Sequence, residues 1–295
     1  MGTIVPEQAQ EVSRLPSDEE VAAFQRDGYY VTPEPIIPKE LIDRALYGVE
    51  RHYQGERDWH LPISGGYLDW RPEHAGLLRI NDYVSLQNEQ LRELTTYPAL
   101  AAIAARLVLT SEIRLFHDQL ITKLPSSDTS TAIGWHVDQA YWQTCTSQKM
   151  LTAWIPLVEL EPDMGGLAVI RGSHLRGNQE WMTTFNEKSL NELEEKLKTA
   201  GVPLDIAELN VPLGCASYHH GGIIHGSRPN FGSKPRIAFT VHFQDHDNRY
   251  RVHSSSLLQR PVHINELLCR RGPEGYPDYS DPEICPVLWR SGARE

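Results

Sequence analysis

Two short segments far apart in the chain carry one chemistry between them, and any fold the chain adopts must bring them together: Trp135-His136-Val137-Asp138-Gln139 and His225-Gly226-Ser227-Arg228-Pro229-Asn230. Side chains alternate along an extended strand, so His136 and Asp138 point to one face and can grip one metal ion while Val137 turns away. His225 supplies a third donor. Two imidazoles and one carboxylate leave part of the coordination sphere open, which suits a non-haem Fe(II) centre rather than a closed structural zinc site. A lone His-x-Asp would mean little among thirteen histidines, because histidine serves equally well as a packed or hydrogen-bonded residue. The second half of the pattern gives it weight. Arg236 lies eleven positions after His225, on the β-rich run from Lys234 to Val241. A planar, permanently charged fork there suits a carboxylate such as the distal one of 2-oxoglutarate.

Short β-rich runs at 113–123, 150–158, 167–170, 208–211, 214–219 and 235–244 predict a mainly β chain with flanking helices, a double-stranded β-helix (jelly roll) of the cupin type. We expect one domain over 1–295, with a helical N-terminal region at about 17–110, a jelly-roll core at about 111–245 and a C-terminal extension at 246–295. Ser17-Asp18-Glu19-Glu20 has the form of a capping box opening a helix, and Gly28 to Val31 turns into a strand. Further helices are expected from Pro38 to about Tyr53 and from Pro98 to Leu109. An inserted helix at about 186–200 carries Leu190, Leu193 and Leu197 at helical spacing, either packed on the barrel or closing over its entrance.

The chain resembles the phytanoyl-CoA dioxygenase (PhyH-like) family of Fe(II)/2-oxoglutarate-dependent oxygenases over roughly residues 17–245. The resemblance rests on Trp135-His136-x-Asp138-Gln139-Ala140-Tyr141-Trp142, the strand from Thr152 to Leu157, Gly165-Gly166-Leu167, Gly172-Ser173-His174 and His225-Gly-Ser-x-Pro-Asn. It implies that His136, Asp138 and His225 are the iron ligands, that Arg236 and Ser227 hold the 2-oxoglutarate carboxylate, and that one coordination position remains for O2. It further implies that Trp154, Gln119 and Lys123 contact the cosubstrate and that Arg79 and Asn81 fall where related enzymes draw substrate contacts. Val137 stands where the family often has Gln, which removes one side-chain contact but no metal ligand. Related halogenases replace the carboxylate with a small residue, so Asp138 argues against halogenation. The implied reaction is oxidation of an unactivated C–H bond, by default hydroxylation, with release of succinate and CO2.

Tyr141 and Trp142 would give the site an aromatic wall for a small-molecule substrate. A formal net charge of −11 opposes nucleic acid and anionic membrane surfaces as partners, and also the phosphates of a fatty acyl-CoA, so a secondary metabolite is the preferred substrate class. A fatty acyl-CoA hydroxylase and a non-catalytic cupin-like binding protein are the alternatives; a zinc hydrolase on the same ligands would leave Arg236 without a task. Cys145, Cys215, Cys269 and Cys285 form no Cys-x-x-Cys pair and read as reduced thiols. No run of apolar residues is long enough for a membrane span, and neither Met1–Glu7 nor Ala293–Glu295 reads as an address, so the expected location is cytoplasmic. The oligomeric state is not legible.

Overall fold

The computed structural model describes residues 14–177, 179–257 and 260–291; the terminal segments read above for addresses lie outside them. The capping box forms as expected. The backbone N–H of Glu20 donates to Ser17 Oγ at 3.2 Å and that of Ser17 to Glu20 Oε2 at 2.8 Å, starting helix α1 (Asp18–Asp27). Gly28, at φ 83°, ends it in the left-handed region where only glycine is unstrained, and the chain passes into strand β1 (Tyr29–Val31). Helix α2 (Lys39–Tyr53) precedes strand β2 (Leu78–Asp82), and α3 (Glu89–Thr95) precedes α4 (Pro98–Leu107), which starts on its proline as expected. Strands β3 (Glu112–Lys123), β4 (Ile133–His136), β5 (Leu151–Pro156) and β6 (Ala168–Ile170) follow, then helix α5 (Leu190–Thr199). Strands β7 (Ile206–Glu208), β8 (Ser217–His220), β9 (His225–Ser227) and β10 (Arg236–Asp245), short helices α6 (Ser254–Leu257) and α7 (Asn265–Leu268), and strand β11 (Val287–Arg290) complete the order.

The strands make two open antiparallel sheets in a double-stranded β-helix. The larger runs β1-β8-β5-β10-β3-β11, with β2 also paired to β3; the smaller runs β4-β9-β6-β7. β2 takes the C-terminal half of β3 and β11 its N-terminal end, so the N-terminal region contributes β2 besides the expected β1, and the C-terminal extension contributes a third strand. The strand expected at 208–211 pairs earlier, with Ala168 opposite Glu208 as its last partner.

The pleat of the large sheet separates core from site. On β10, Phe239, Val241 and Phe243 join a core cluster with Leu100 and Ile103 of α4, while Arg236, Thr240 and His242 face a cavity between the sheets. On β3, Phe116 and Leu120 go to that core, whereas Gln119 and Ile121 face the cavity. β5 repeats the division, with Ala153 and Ile155 outward and Thr152 and Trp154 inward.

Helix α5 packs its three leucines on Trp135, Val137 and Ala140, closing a second cluster away from the cavity. It is therefore a brace on the small sheet, and only the preceding Phe185 and Asn186 reach the cavity. This approach segment runs hard against β4. A Cβ at Gly134 would come within 2.1 Å of Thr184 O and 2.8 Å of Glu187 O, and the Gly134 N–H donates to Phe185 O at 3.0 Å. Gly134→Ala should therefore destabilise the protein by about 1–3 kcal/mol, since backbone atoms must move. An unchanged melting temperature in a thermal denaturation series would contradict this account of the contact.

Candidate metal and cosubstrate site

The sequence places Asp138 on the same strand as His136; in the structure β4 ends at His136 and Asp138 opens a 3₁₀ turn to Ala140. Val137 between them stays extended at φ −126° and ψ 125°, so both side chains still emerge on one side while Val137 goes to the α5 cluster. The β4–β9 register sets His225 directly opposite His136. His136 Nε2 and His225 Nε2 lie 3.6 and 3.5 Å from Asp138 Oδ1, and one donor atom from each of the three residues falls within 4.8 Å of the others, a set that could hold one metal ion.

Each donor is oriented by a partner behind it. The Nδ1–H of His136 donates to Gly134 O at 2.8 Å and that of His225 to Ile223 O at 3.1 Å; a carbonyl only accepts, so both rings keep Nε2 as a lone-pair donor. Asp138 Oδ2 accepts from Thr152 Oγ1 at 2.7 Å and from His219 Nε2 at 3.3 Å, which leaves Oδ1 for the ion. Burial alone would raise the Asp138 carboxyl, but His225, His136, His219 and His242 together hold it well below the usual range. Burial first, and then the neighbouring imidazoles of His136 and His219, push His225 well below its ordinary value.

Across the cavity, Arg236 is 1% exposed, and its Nε and Nη1 have no hydrogen-bond partner. Burial lowers its guanidinium to about 9, still charged at neutral pH. Trp154 lies beside it at 5.6 Å, ring centroid to guanidinium carbon. Lys123, opposite Arg236 in the ladder, is fully buried, and burial together with the charges of Arg236 and Lys188 pushes its amine well below the usual lysine range. Among the described residues no carboxylate lies within 4.0 Å of Arg236, so the pocket lacks one anion, and a dicarboxylate reaching in from the metal fits that demand.

The remaining sequence candidates divide. Ser227 and Trp154 line the cavity with Arg236. Lys123 is not among that lining: its Nζ donates to Ser227 Oγ at 2.5 Å, Ser227 O at 3.2 Å and Arg228 O at 2.7 Å, which fixes Ser227 and leaves its hydroxyl hydrogen free. Gln119 lines the cavity on both sides of the triad, with its Nε2 donating to Asp82 Oδ1 at 2.8 Å.

Arg79 and Asn81 are turned away, because β2 alternates as β3 does. They pair with the outward Thr122 and Leu120; Arg79 stacks over Trp70 at 4.1 Å, and Asn81 donates to Asp69 Oδ1 and Trp70 O. Their neighbour Asp82 faces the cavity instead. Tyr141 and Trp142 line an outer chamber of about 220 Å³ that shares His136 and Asp138 with the inner one and is completed by Phe185, Asn186 and the C-terminal residues Val262, His263 and Ile264. A larger groove of about 390 Å³, by Glu161 and Phe231, includes none of the three donors.

In the sequence Thr152 is marked only as the start of a β-rich strand, although the alternation that brings Trp154 inward also brings Thr152, two positions earlier. Thr152→Val should weaken iron binding by about 10- to 100-fold, the usual effect of losing an outer partner, while Thr152→Ser retains it. Equal iron affinity in the two variants, measured by competition with a chelator, would remove Thr152 from the site.

An open His-Asp-His cluster facing a buried, anion-seeking arginine inside a double-stranded β-helix defines a non-haem enzyme dependent on Fe(II), 2-oxoglutarate and O2. The family model of phytanoyl-CoA dioxygenase (PhyH) matches residues 24–238, and the chain belongs to that family. Its fold is also that of the 2-oxoglutarate-dependent carbocyclase SnoK from nogalamycin biosynthesis, with TM-score 0.65 and 20% identity over 92% of this chain and 96% of that one. The epimerase SnoN, solved with Fe3+, α-ketoglutarate and nogalamycin RO, is similar at TM-score 0.64 and 22% identity over 92% and 97%. EctD from S. alaskensis, solved with 2-oxoglutarate and 5-hydroxyectoine, is similar at 0.62 and 20% over 83% and 81%. Among the described residues no helix is long and apolar enough to cross a membrane, and all four cysteines are buried free thiols.

Proposed function

We propose that this enzyme hydroxylates an unactivated C–H bond of a small secondary metabolite, with release of succinate and CO2. His136, Asp138 and His225 hold the iron in this reading, and Arg236 and Ser227 hold the distal carboxylate of 2-oxoglutarate. The bound iron, with 2-oxoglutarate and O2, supplies an oxidant strong enough to take hydrogen from such a bond. The chain's own residues do the rest. Gly134, Ile223, Thr152 and His219 aim the three donors, Lys123 orients Ser227, and Trp154 covers the Arg236 pocket. Phe185, whose ring centroid lies 4.9 Å from that of His136, lines both chambers and places an apolar ring between them.

One observation carries this reading: the buried Arg236, with two unpartnered donor nitrogens, shares its cavity with the three donors. A binding protein without catalysis, or a zinc hydrolase, leaves that charge unexplained. The family also contains enzymes acting on fatty acyl-CoA; the outer chamber favours the metabolite, because neither Lys nor Arg lines it to meet phosphates. Anaerobic addition of Fe(II) and 2-oxoglutarate should develop a weak visible metal-to-ligand charge-transfer band, and its absence would overturn the assignment. Metabolites that stimulate succinate release then identify the substrate, and a product lacking an added oxygen atom would replace hydroxylation by ring closure or epimerisation.

A further inference from the structure

We infer that the outer chamber recognises a protonated amine on the substrate, with Asp82 as its counter-ion. The inference rests on the reading of His136, Asp138 and His225 as the iron site and adds the chemical class of what binds beside it. Asp82 is 8% exposed at the end of β2 and faces the chamber. Its Oδ1 accepts from Gln119 Nε2 at 2.8 Å and its Oδ2 from the Leu68 backbone N–H at 2.8 Å, so the carboxylate is fixed by two neutral donors and keeps acceptor sites free. Among the described residues no Lys or Arg lies within 4.0 Å of it; the nearest basic group is His117 Nε2, at 3.5 Å from Oδ1, buried and without a hydrogen-bond partner.

A buried carboxylate is normally paired with a cation. Here no Lys or Arg supplies that cation and His117 makes no hydrogen bond to the carboxylate, so the chamber leaves room for a cation from outside. The chamber holds about 220 Å³, below the roughly 300–1,000 Å³ of pockets that enclose a drug-sized molecule, so it seats a compact group rather than a long chain. Its walls include the aromatic side chains of Tyr83, Tyr141, Trp142 and Phe185, a ring type that attracts a cation where its face is presented. A hydroxyl could bond to the same oxygens, but it would leave the carboxylate's charge unpaired. An ammonium satisfies both the charge and the aromatic walls, with charge-assisted hydrogen bonds that a neutral donor lacks. It also sits within the chamber that includes His136 and Asp138, which brings carbons near the basic nitrogen to the oxidising centre.

The test compares three probes of nearly equal size, benzylamine, benzyl alcohol and benzoate, by calorimetry on protein loaded anaerobically with Fe(II) and 2-oxoglutarate. Benzylamine should bind at least about tenfold more tightly than benzyl alcohol, and benzoate most weakly. Asp82→Asn should bring the amine down to the level of the alcohol. Equal affinity of amine and alcohol in the native protein, no saturable binding of the amine, or an undiminished amine preference in Asp82→Asn would each overturn the inference. Should the variant fail to fold, the ranking on the native protein decides alone. The charge-transfer band of the loaded sample separates the two levels: no band means the iron assignment fails, whereas a band without amine preference means that only the role of Asp82 fails.

Discussion

Arg236→Leu is expected to raise the melting temperature of the ligand-free protein while destroying its affinity for 2-oxoglutarate. The two effects share one cause. In the free protein a guanidinium sits 1% exposed with two unpartnered nitrogens and no carboxylate within 4.0 Å, so folding desolvates a charge and returns little for it. Replacing buried ionic groups by apolar ones of similar volume is often neutral or stabilising, by up to about 1–4 kcal/mol. Because burial lowers the Arg236 pKa to about 9 from 12.5, the folded state sheds its proton first. The penalty is therefore present in full below pH 9 and relieved only as pH rises above it, so the variant's advantage should be flat across the neutral range. With 2-oxoglutarate present the sign reverses. Removing one partner of a buried, hydrogen-bonded charge pair costs about 2–5 kcal/mol, a loss of affinity from about 30-fold to several thousand-fold. Thermal shift with and without 2-oxoglutarate reads both effects, and a variant that is less stable without ligand would contradict the orphaned-charge account.

Asp138→Ala should remove the charge-transfer band and substrate-coupled succinate release together. The loss should exceed the 10- to 100-fold typical of an outer partner, because a donor to the ion itself is gone and Thr152 and His219 lose the oxygen they bond. Without the carboxylate the two imidazoles remain 4.1 Å apart, centroid to centroid, a pair that holds metal weakly and in no fixed geometry. Retained succinate formation in this variant would mean that a different carboxylate completes the set.

The metal cluster was legible because its chemistry is written in residue types and in a spacing of two, which the strand period converts into geometry. The same period could have corrected the reading of β2. Asp82 and Ile80 share one face and Arg79 and Asn81 the other, but nothing local to that segment states which face looks inward; pairing with β3 decides it. Lys123 lies on the strand expected for it, but only the three-dimensional neighbourhood shows its hydrogen bonds going to Ser227 and Arg228. Least legible were the walls. Val262, His263 and Ile264 come from a region without strong periodicity, anchored where Asn265 donates to Phe116 O and accepts from the Tyr83 hydroxyl. Long-range hydrogen bonds of that kind leave no pattern in the linear chain.

The three candidate metal donors and Arg236 belong to or adjoin ladder strands whose opposite faces build the core, so a one-residue slip there would exchange polar for apolar side chains along the whole element. The outer chamber is bounded by ladder residues such as Asp82, Gln119 and His242, and also by Phe185 and Asn186 before a helix and by a short stretch near the C-terminus. The chamber thus joins two kinds of wall: residues pinned by the ladder, Asp82 and Gln119 among them, and two segments outside it, where a change of side chain would alter the shape of the chamber without disturbing strand register.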